Sequence, residues 1–142
     1  HEGNRPASNA QAWDDAGTAA HVARMARIHS ALAPYVRSLA REYEADGLPL
    51  MRPLFLHHPD DPRCANLKDE YLYGPDLLVA PVLRRGASRR RVYIPSGDWL
   101  GLWDGKPVLP GRRVVPAPLG RPPVFYRAGS PWAALFAGLA RA

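Results

Sequence analysis

YLYGPDLLVAPVL, residues 71–83, is the stretch around which the rest of the chain is organised. The apolar run Leu77-Leu78-Val79-Ala80 sits between two turn signals, Gly74-Pro75-Asp76 and Pro81. Such a run is too short for a stable lone helix and fits a strand buried on both faces. It also divides the chain. A long helical pattern lies upstream, and short strand-like pieces punctuated by Pro and Gly lie downstream.

Composition divides at the same place. The formal charge is +6 over 142 residues. Residues 1–70 carry 8 Lys+Arg against 10 Asp+Glu, whereas residues 71–142 carry 11 against 3. Of 16 Pro, 14 follow Gly47. Both shifts predict two regions of different architecture within a length typical of one domain or two partial ones. A hydrophobic fraction of 46% excludes disorder as the default. One Cys, Cys64, excludes an internal disulfide and suits a reducing, cytoplasmic setting. No apolar run approaches the roughly 18 residues of a membrane span. The chain starts at His1 rather than Met, so the true N-terminus is expected to lie upstream.

Upstream of the central stretch, Val22, Met25, Ile28, Leu32, Val36, Leu39 and Tyr43 recur every three or four residues. That is one face of an amphipathic helix, with Asp14, Asp15 or Thr18 as its cap. Pro34 inside it predicts a kink or two abutting helices, and Gly47 a left-handed end. Leu48–Leu56 is expected as a short buried strand, His57–Cys64 as a loop, and Asn66–Tyr73 as two helical turns capped by Asn66. Downstream, Arg91–Ile94, Trp99–Trp103, Lys106–Leu109, Arg112–Ala117 and Val124–Tyr126 are candidate strands. Asp104-Gly105 is a type I′ hairpin signal. Strands at this spacing predict a β-sandwich. Ser130 and Pro131 open a final helix over residues 132–141, expected to be the natural C-terminus.

Five groups of residues are candidate sites. His57-His58 with Asp60-Asp61 has metal-binding residue types, but adjacent residues on an extended segment point opposite ways. Asp60 and Asp61 as a glycosidase pair would need to flank a bond from separate elements. A capped polar loop is the stronger reading of both. The basic run Arg84–Arg91 could meet nucleic acid, yet no zinc, helix-turn-helix or RNA-platform motif accompanies it, and it reads as a solvated turn. Trp99, Trp103 and Trp132 with Tyr93 and Tyr126 could stack on sugars, or form core, which is commoner for large aromatics. HEGNRP, residues 1–6, is either a ligand loop before the helix or a structural one. No nucleophile and base pair, phosphate loop or complete metal set is visible in the chain.

Several ordered blocks carry a resemblance. GLPLMRPLFLHHPDDP (47–62), DEYLYGPDLLVAPVL (69–83), VYIPSGDWLGLWDGKPVLPG (92–111) and APLGRPPVFYRAGS (117–130), with LAPYVRSLAREYEADG (32–47) upstream, closely resemble glycoside hydrolase family 31, the α-glucosidase family. The resemblance implies a mixed fold: the C-terminal end of a (β/α)8 catalytic barrel over residues 1–70, then a small antiparallel β-sandwich with a short C-terminal helix over residues 71–142. The segment 18–46 would be the last long barrel helix and Leu50–Leu56 the eighth strand. It further implies a retaining α-glycoside hydrolase whose nucleophile and acid/base, both Asp, lie upstream of His1. This chain then holds no catalytic residue, is inactive alone and exposes apolar surface. His1 matches the family's histidine that hydrogen-bonds the sugar, so it is the one substrate-binding residue implied. No metal, cofactor, nucleic acid or membrane is implied, only a small carbohydrate substrate. HEGNRP, RIHSALAPY (27–35) and FYRAGSPWAALFAGL (125–139) are most similar to the bacterial sulfoquinovosidase branch. The alternative is a non-catalytic, carbohydrate-binding sandwich module. A nucleic-acid binder is the third reading.

Overall fold

The structure is a computed structural model that describes residue 11 and residues 13–141. Two helices open it, α1 (Ala16–Ala31) and α2 (Ala33–Asp46). Asp15 caps α1, its Oδ1 accepting from the Thr18 N–H at 2.7 Å. The break predicted at Pro34 falls at Leu32, which ends one helix and starts the next, with Pro34 in the first turn of α2. There a missing N–H costs no helical bond. Gly47 ends α2 at φ 72°, a conformation open to Gly without a Cβ penalty.

Eight short strands follow: β1 (Met51–Arg52), β2 (Tyr71–Tyr73), β3 (Leu77–Val79), β4 (Arg89–Ile94), β5 (Trp99–Gly101), β6 (Pro107–Val108), β7 (Gly111–Pro116) and β8 (Val124–Arg127). Helix α3 (Ala133–Leu139) closes the described chain. Six strands form one sheet in the order β1-β2-β3-β8-β5-β6, and β4 pairs with β7 in a second. Each pairing is antiparallel.

The central stretch lies in the middle of the larger sheet and is covered on both faces. Leu78 is opposite Phe125 and also opposite Leu72. These three meet Val92 and Ile94 of β4 in one core, with Trp99, Leu54 and Cys64. Leu77 is opposite Tyr126 on the other face. Those two meet Tyr35 and Leu39 of α2 and Phe136 and Leu139 of α3 in a second core. The period-two alternation of a strand thus sends neighbouring leucines into different cores. The molecule is three layers: helices, six-stranded sheet, two-stranded sheet.

Four local expectations are corrected. The strand over Leu50–Leu56 is two residues long, because Pro53 stops it and Leu54–Leu56 form a 3-10 turn. Asn66–Tyr73 is not helical. Cys64–Asn66 is a single 3-10 turn, and Tyr71–Tyr73 is a strand paired on both sides, by β1 and β3. Burial of Leu72 between those neighbours outweighs the local capping signal. The β5–β6 hairpin exists, but it is not type I′, which needs positive φ at two successive residues. Among the described residues only glycines have positive φ; Gly105, at 65°, does and Asp104 does not. The loop is closed instead by Gly101 N–H to the Lys106 carbonyl, 2.9 Å, with Gly105 N–H to Gly101 O, 2.9 Å. The basic run is a turn only at its start, since Arg89–Arg91 begin β4. The β1–β2 pair joins residues on either side of position 70 into one sheet.

Candidate functional site

The one side chain assigned to substrate from the sequence, His1, lies outside the described residues. The chemistry-bearing groups that are described gather where β1 leaves the sheet, in the segment from Arg52 to Arg63.

Arg52 anchors them. It has no exposed surface. Its Nη2 and Nη1 donate to Glu42 Oε2 and Oε1 at 2.6 and 3.2 Å, and its Nε donates to the Pro49 carbonyl at 2.6 Å. A guanidinium buried this deeply needs a paired carboxylate, and the forked geometry supplies two bonds at once. Nη1 also lies 3.0 Å from His57 Nε2. The guanidinium has no acceptor to offer, so Nε2 accepts and the imidazole proton sits on Nδ1. Arg127 of β8 repeats the arrangement on His58, with Nη2 at 3.1 Å from Nε2. Its Nε donates to the Pro75 carbonyl at 3.0 Å, and its guanidinium lies 4.6 Å over the Trp99 ring. Burial first, and the facing arginines second, hold both histidines below the usual imidazole value.

The paired histidines therefore face separate arginines on separate elements and do not converge. The described residues contain no group of three or more His, Cys, Asp or Glu side chains placed to hold a metal ion. Asp61 accepts from the Arg63 N–H at 3.0 Å and from the Tyr93 hydroxyl. Those bonds hold its carboxyl below the ordinary carboxylate value. It braces the loop rather than flanking a scissile bond with Asp60. His57, His58, Asp60, Asp61, Arg63 and Ser96 line an open polar hollow of about 500 Å³.

The aromatic candidates separate from sugar stacking. Trp99 is 1% exposed and donates to the Pro95 carbonyl at 3.1 Å. Trp103 donates to the Pro122 carbonyl at 2.6 Å and carries the Arg24 guanidinium 5.0 Å over its ring. Trp132 packs edge-on against Tyr35 at 5.7 Å, and Tyr93 and Tyr126 are buried. They are core and seam residues, as their size favours.

Sequence reasoning missed three groups. Arg52 was visible as a lone charge inside the apolar run LPLMRPLFL, a pattern that demands a buried partner. Arg127 carried no local signal. Glu70, 6% exposed, accepts the Tyr93 N–H at 2.8 and 3.1 Å. Desolvation pushes its carboxyl up to about 7.

Comparison with known proteins places this geometry. The glycosyl hydrolase family 31 C-terminal domain profile matches residues 47–130. The chain is 50% identical over 139 residues to the sulfoquinovosidase of Escherichia coli K12, spanning 98% of this chain and 20% of that protein. It is also 50% identical over 138 residues to the sulfoquinovosidase of Agrobacterium fabrum, 96% of this chain and 21% of that protein. A family 31 sulfoquinovosidase from E. rectale, solved with an aza-sugar inhibitor, superposes with a TM-score of 0.94 at 39% identity. That superposition covers 99% of this chain and 21% of the solved one. The chain thus spans about one fifth of the length of the relatives it matches. An antiparallel sandwich with few helices, matched in sequence and in shape, places this chain in glycoside hydrolase family 31, where it includes the family's C-terminal domain.

Proposed function

We propose that the full-length protein is a retaining α-glycoside hydrolase of the sulfoquinovosidase type, and that this chain is its C-terminal part. One observation carries the reading. Identity reaches 50% with two sulfoquinovosidases over nearly the whole chain. It is 40% over 79% of the chain with a 1,3-α-isomaltosidase from Kribbella flavida, and 33% over 73% with an α-xylosidase from Saccharolobus solfataricus.

In this reading two Asp residues upstream of His1 perform a double displacement. One attacks the anomeric carbon while the other protonates the leaving oxygen, then activates the water that releases the sugar. His1 donates a hydrogen bond to a sugar hydroxyl, tightening on the transition state. No cofactor takes part. Helices α1 and α2 form the last helical layer of the catalytic barrel, and β1, paired antiparallel with β2, joins the sandwich that residues 71–142 build behind it. Val22, Tyr43, Met51, Phe55 and Leu56 are all more than 40% exposed, apolar surface suited to cover by further chain. A cytoplasmic setting belongs to the same reading and rests on the single, unpaired Cys64. Among the described residues no helix is long and apolar enough to cross a membrane. The non-catalytic sugar-binding alternative loses its support because the rings it needs are buried or covered.

Proton NMR of an alkyl α-sulfoquinovoside incubated with the full-length protein tests the proposal. Release of α-sulfoquinovose first, with the β-anomer appearing by mutarotation, is the expected result. The β-anomer first, or no hydrolysis, would overturn it.

A further inference from the structure

Among the described residues, β4 is paired on one edge only. Its register with β7 runs from Arg89 opposite Pro116 to Ile94 opposite Gly111, and no other described strand joins these two. In an antiparallel pair, the backbone groups of alternate residues point toward the partner and away from it. The Ser88 carbonyl accepts from the Ala117 N–H at 2.8 Å, so residues 88, 90, 92 and 94 face β7. Tyr93 has the opposite parity, and its N–H leaves the sheet to reach Glu70 Oε1 at 2.8 Å. The N–H and C=O groups of Arg89 and Arg91 share that parity. They open on the free edge, and among the described residues no backbone group outside β4 bonds to them.

This edge forms one wall of a groove of about 590 Å³. Leu83, 68% exposed, and Val114, 57% exposed, give it apolar sides. Arg84, Arg89, Arg90 and Arg91 line it against one acid, Asp69. Asp69 is already engaged, its Oδ2 lying 3.0 Å from Arg90 Nη2. Arg90 itself is held beneath, its side chain 9% exposed, by the carbonyls of Pro81 and Asp69. Its Nε is buried without a partner. Arg89 and Arg91 are exposed and, two residues apart, project from the same face of β4.

We propose that the free edge of β4 takes up an extended acidic polypeptide segment as an added antiparallel strand. Its main chain would pair with Arg91 and Arg89, its acidic side chains would lie beside the two guanidiniums, and its apolar ones would meet Leu83. Charge selects this occupant. A second copy of β4 would set arginine against arginine, the arrangement by which natural edges resist self-pairing. A nucleic acid would satisfy the charge but leave the backbone groups unpaired.

The test uses the full-length protein and a fluorescent heptapeptide of alternating Glu and Val. Its control is the same peptide N-methylated at every amide, which keeps the charge and loses the strand donors. Fluorescence anisotropy should show the parent peptide binding about tenfold or more tighter than the control. An Arg89→Glu/Arg91→Glu variant with an unchanged unfolding temperature should lose about tenfold in affinity. Rapid deuterium uptake at the Arg89 and Arg91 amides in the unliganded protein, slowed by the peptide, is also expected. Equal binding of the methylated peptide would overturn the proposal, as would no binding at low salt. So would dimerisation through this edge, or slow uptake without peptide, because the edge would then already be covered.

Discussion

Arg52 and Glu42 share a buried ion pair whose two ends are unequal. The Arg52 side chain is 0% exposed and that of Glu42 is 30% exposed. Removing the acid strands a buried cation, whereas removing the cation leaves a carboxylate that can turn toward water. Glu42→Gln is therefore expected to lower the unfolding free energy of the full-length protein by about 3 kcal/mol, and Arg52→Met by distinctly less, as read from urea denaturation. Glu70 gives a pH dependence. Its folded value is raised from 4.5 to about 7, so the folded state holds the proton more tightly than the unfolded state. That contribution to stability is complete below about 4.5 and is lost as pH rises through about 7. The His57 and His58 values are lowered from 6.5, so their contribution is present above 6.5 and is lost as pH falls below it. Comparing urea midpoints of the wild type and Glu70→Gln between pH 4.5 and 8 isolates the carboxyl. The wild type should lose stability relative to the variant as pH rises. Of these groups, Arg52 was legible as a charge among apolar residues. Glu70 and Arg127 were not, because their partners Tyr93 and His58 lie 23 and 69 positions away along the chain.

Elements were readable where the signal was local. The Asp15 cap, the break beside Pro34 and the end at Gly47 all depend on neighbours within one helical turn. The segment Tyr71–Tyr73 was misread because its strand exists only through β1 and β3, which local patterning does not see. Gly74 joins those levels. It sits at φ 61°, and a Cβ there would come within 2.2 Å of the Tyr35 hydroxyl and 2.5 Å of Leu39 Cδ2. Tyr35 cannot retreat easily, since its hydroxyl donates to the Tyr73 carbonyl at 2.7 Å and its ring meets Phe136 at 5.0 Å. Left-handed strain and overpacking therefore add. Gly74→Ala is expected to destabilise by about 3 kcal/mol in the same urea assay, well above the cost at Gly47, where a Cβ meets nothing within 4 Å.

At the scale of the molecule, the stretch at residues 71–83 is a seam. β2 reaches back to β1, β3 reaches forward to β8, and the two cores lie on either side of them. The family was legible here because GPDLLVAPVL meets three constraints at once: a turn, a strand buried on both faces and a stop at Pro81. The substrate was not legible from the described residues, whose polar groups bind one another and brace the loop from His57 to Arg63. The proposed sulfoquinovosidase-type activity of the full-length protein is tested most directly by kcat/KM on an aryl α-sulfoquinovoside against the matching aryl α-glucoside. A preference of about a hundredfold or more for the sulfoquinovoside is the expected result, since a site built around a charged group discriminates strongly against its absence. Equal turnover of both, or preference for the glucoside, would contradict it.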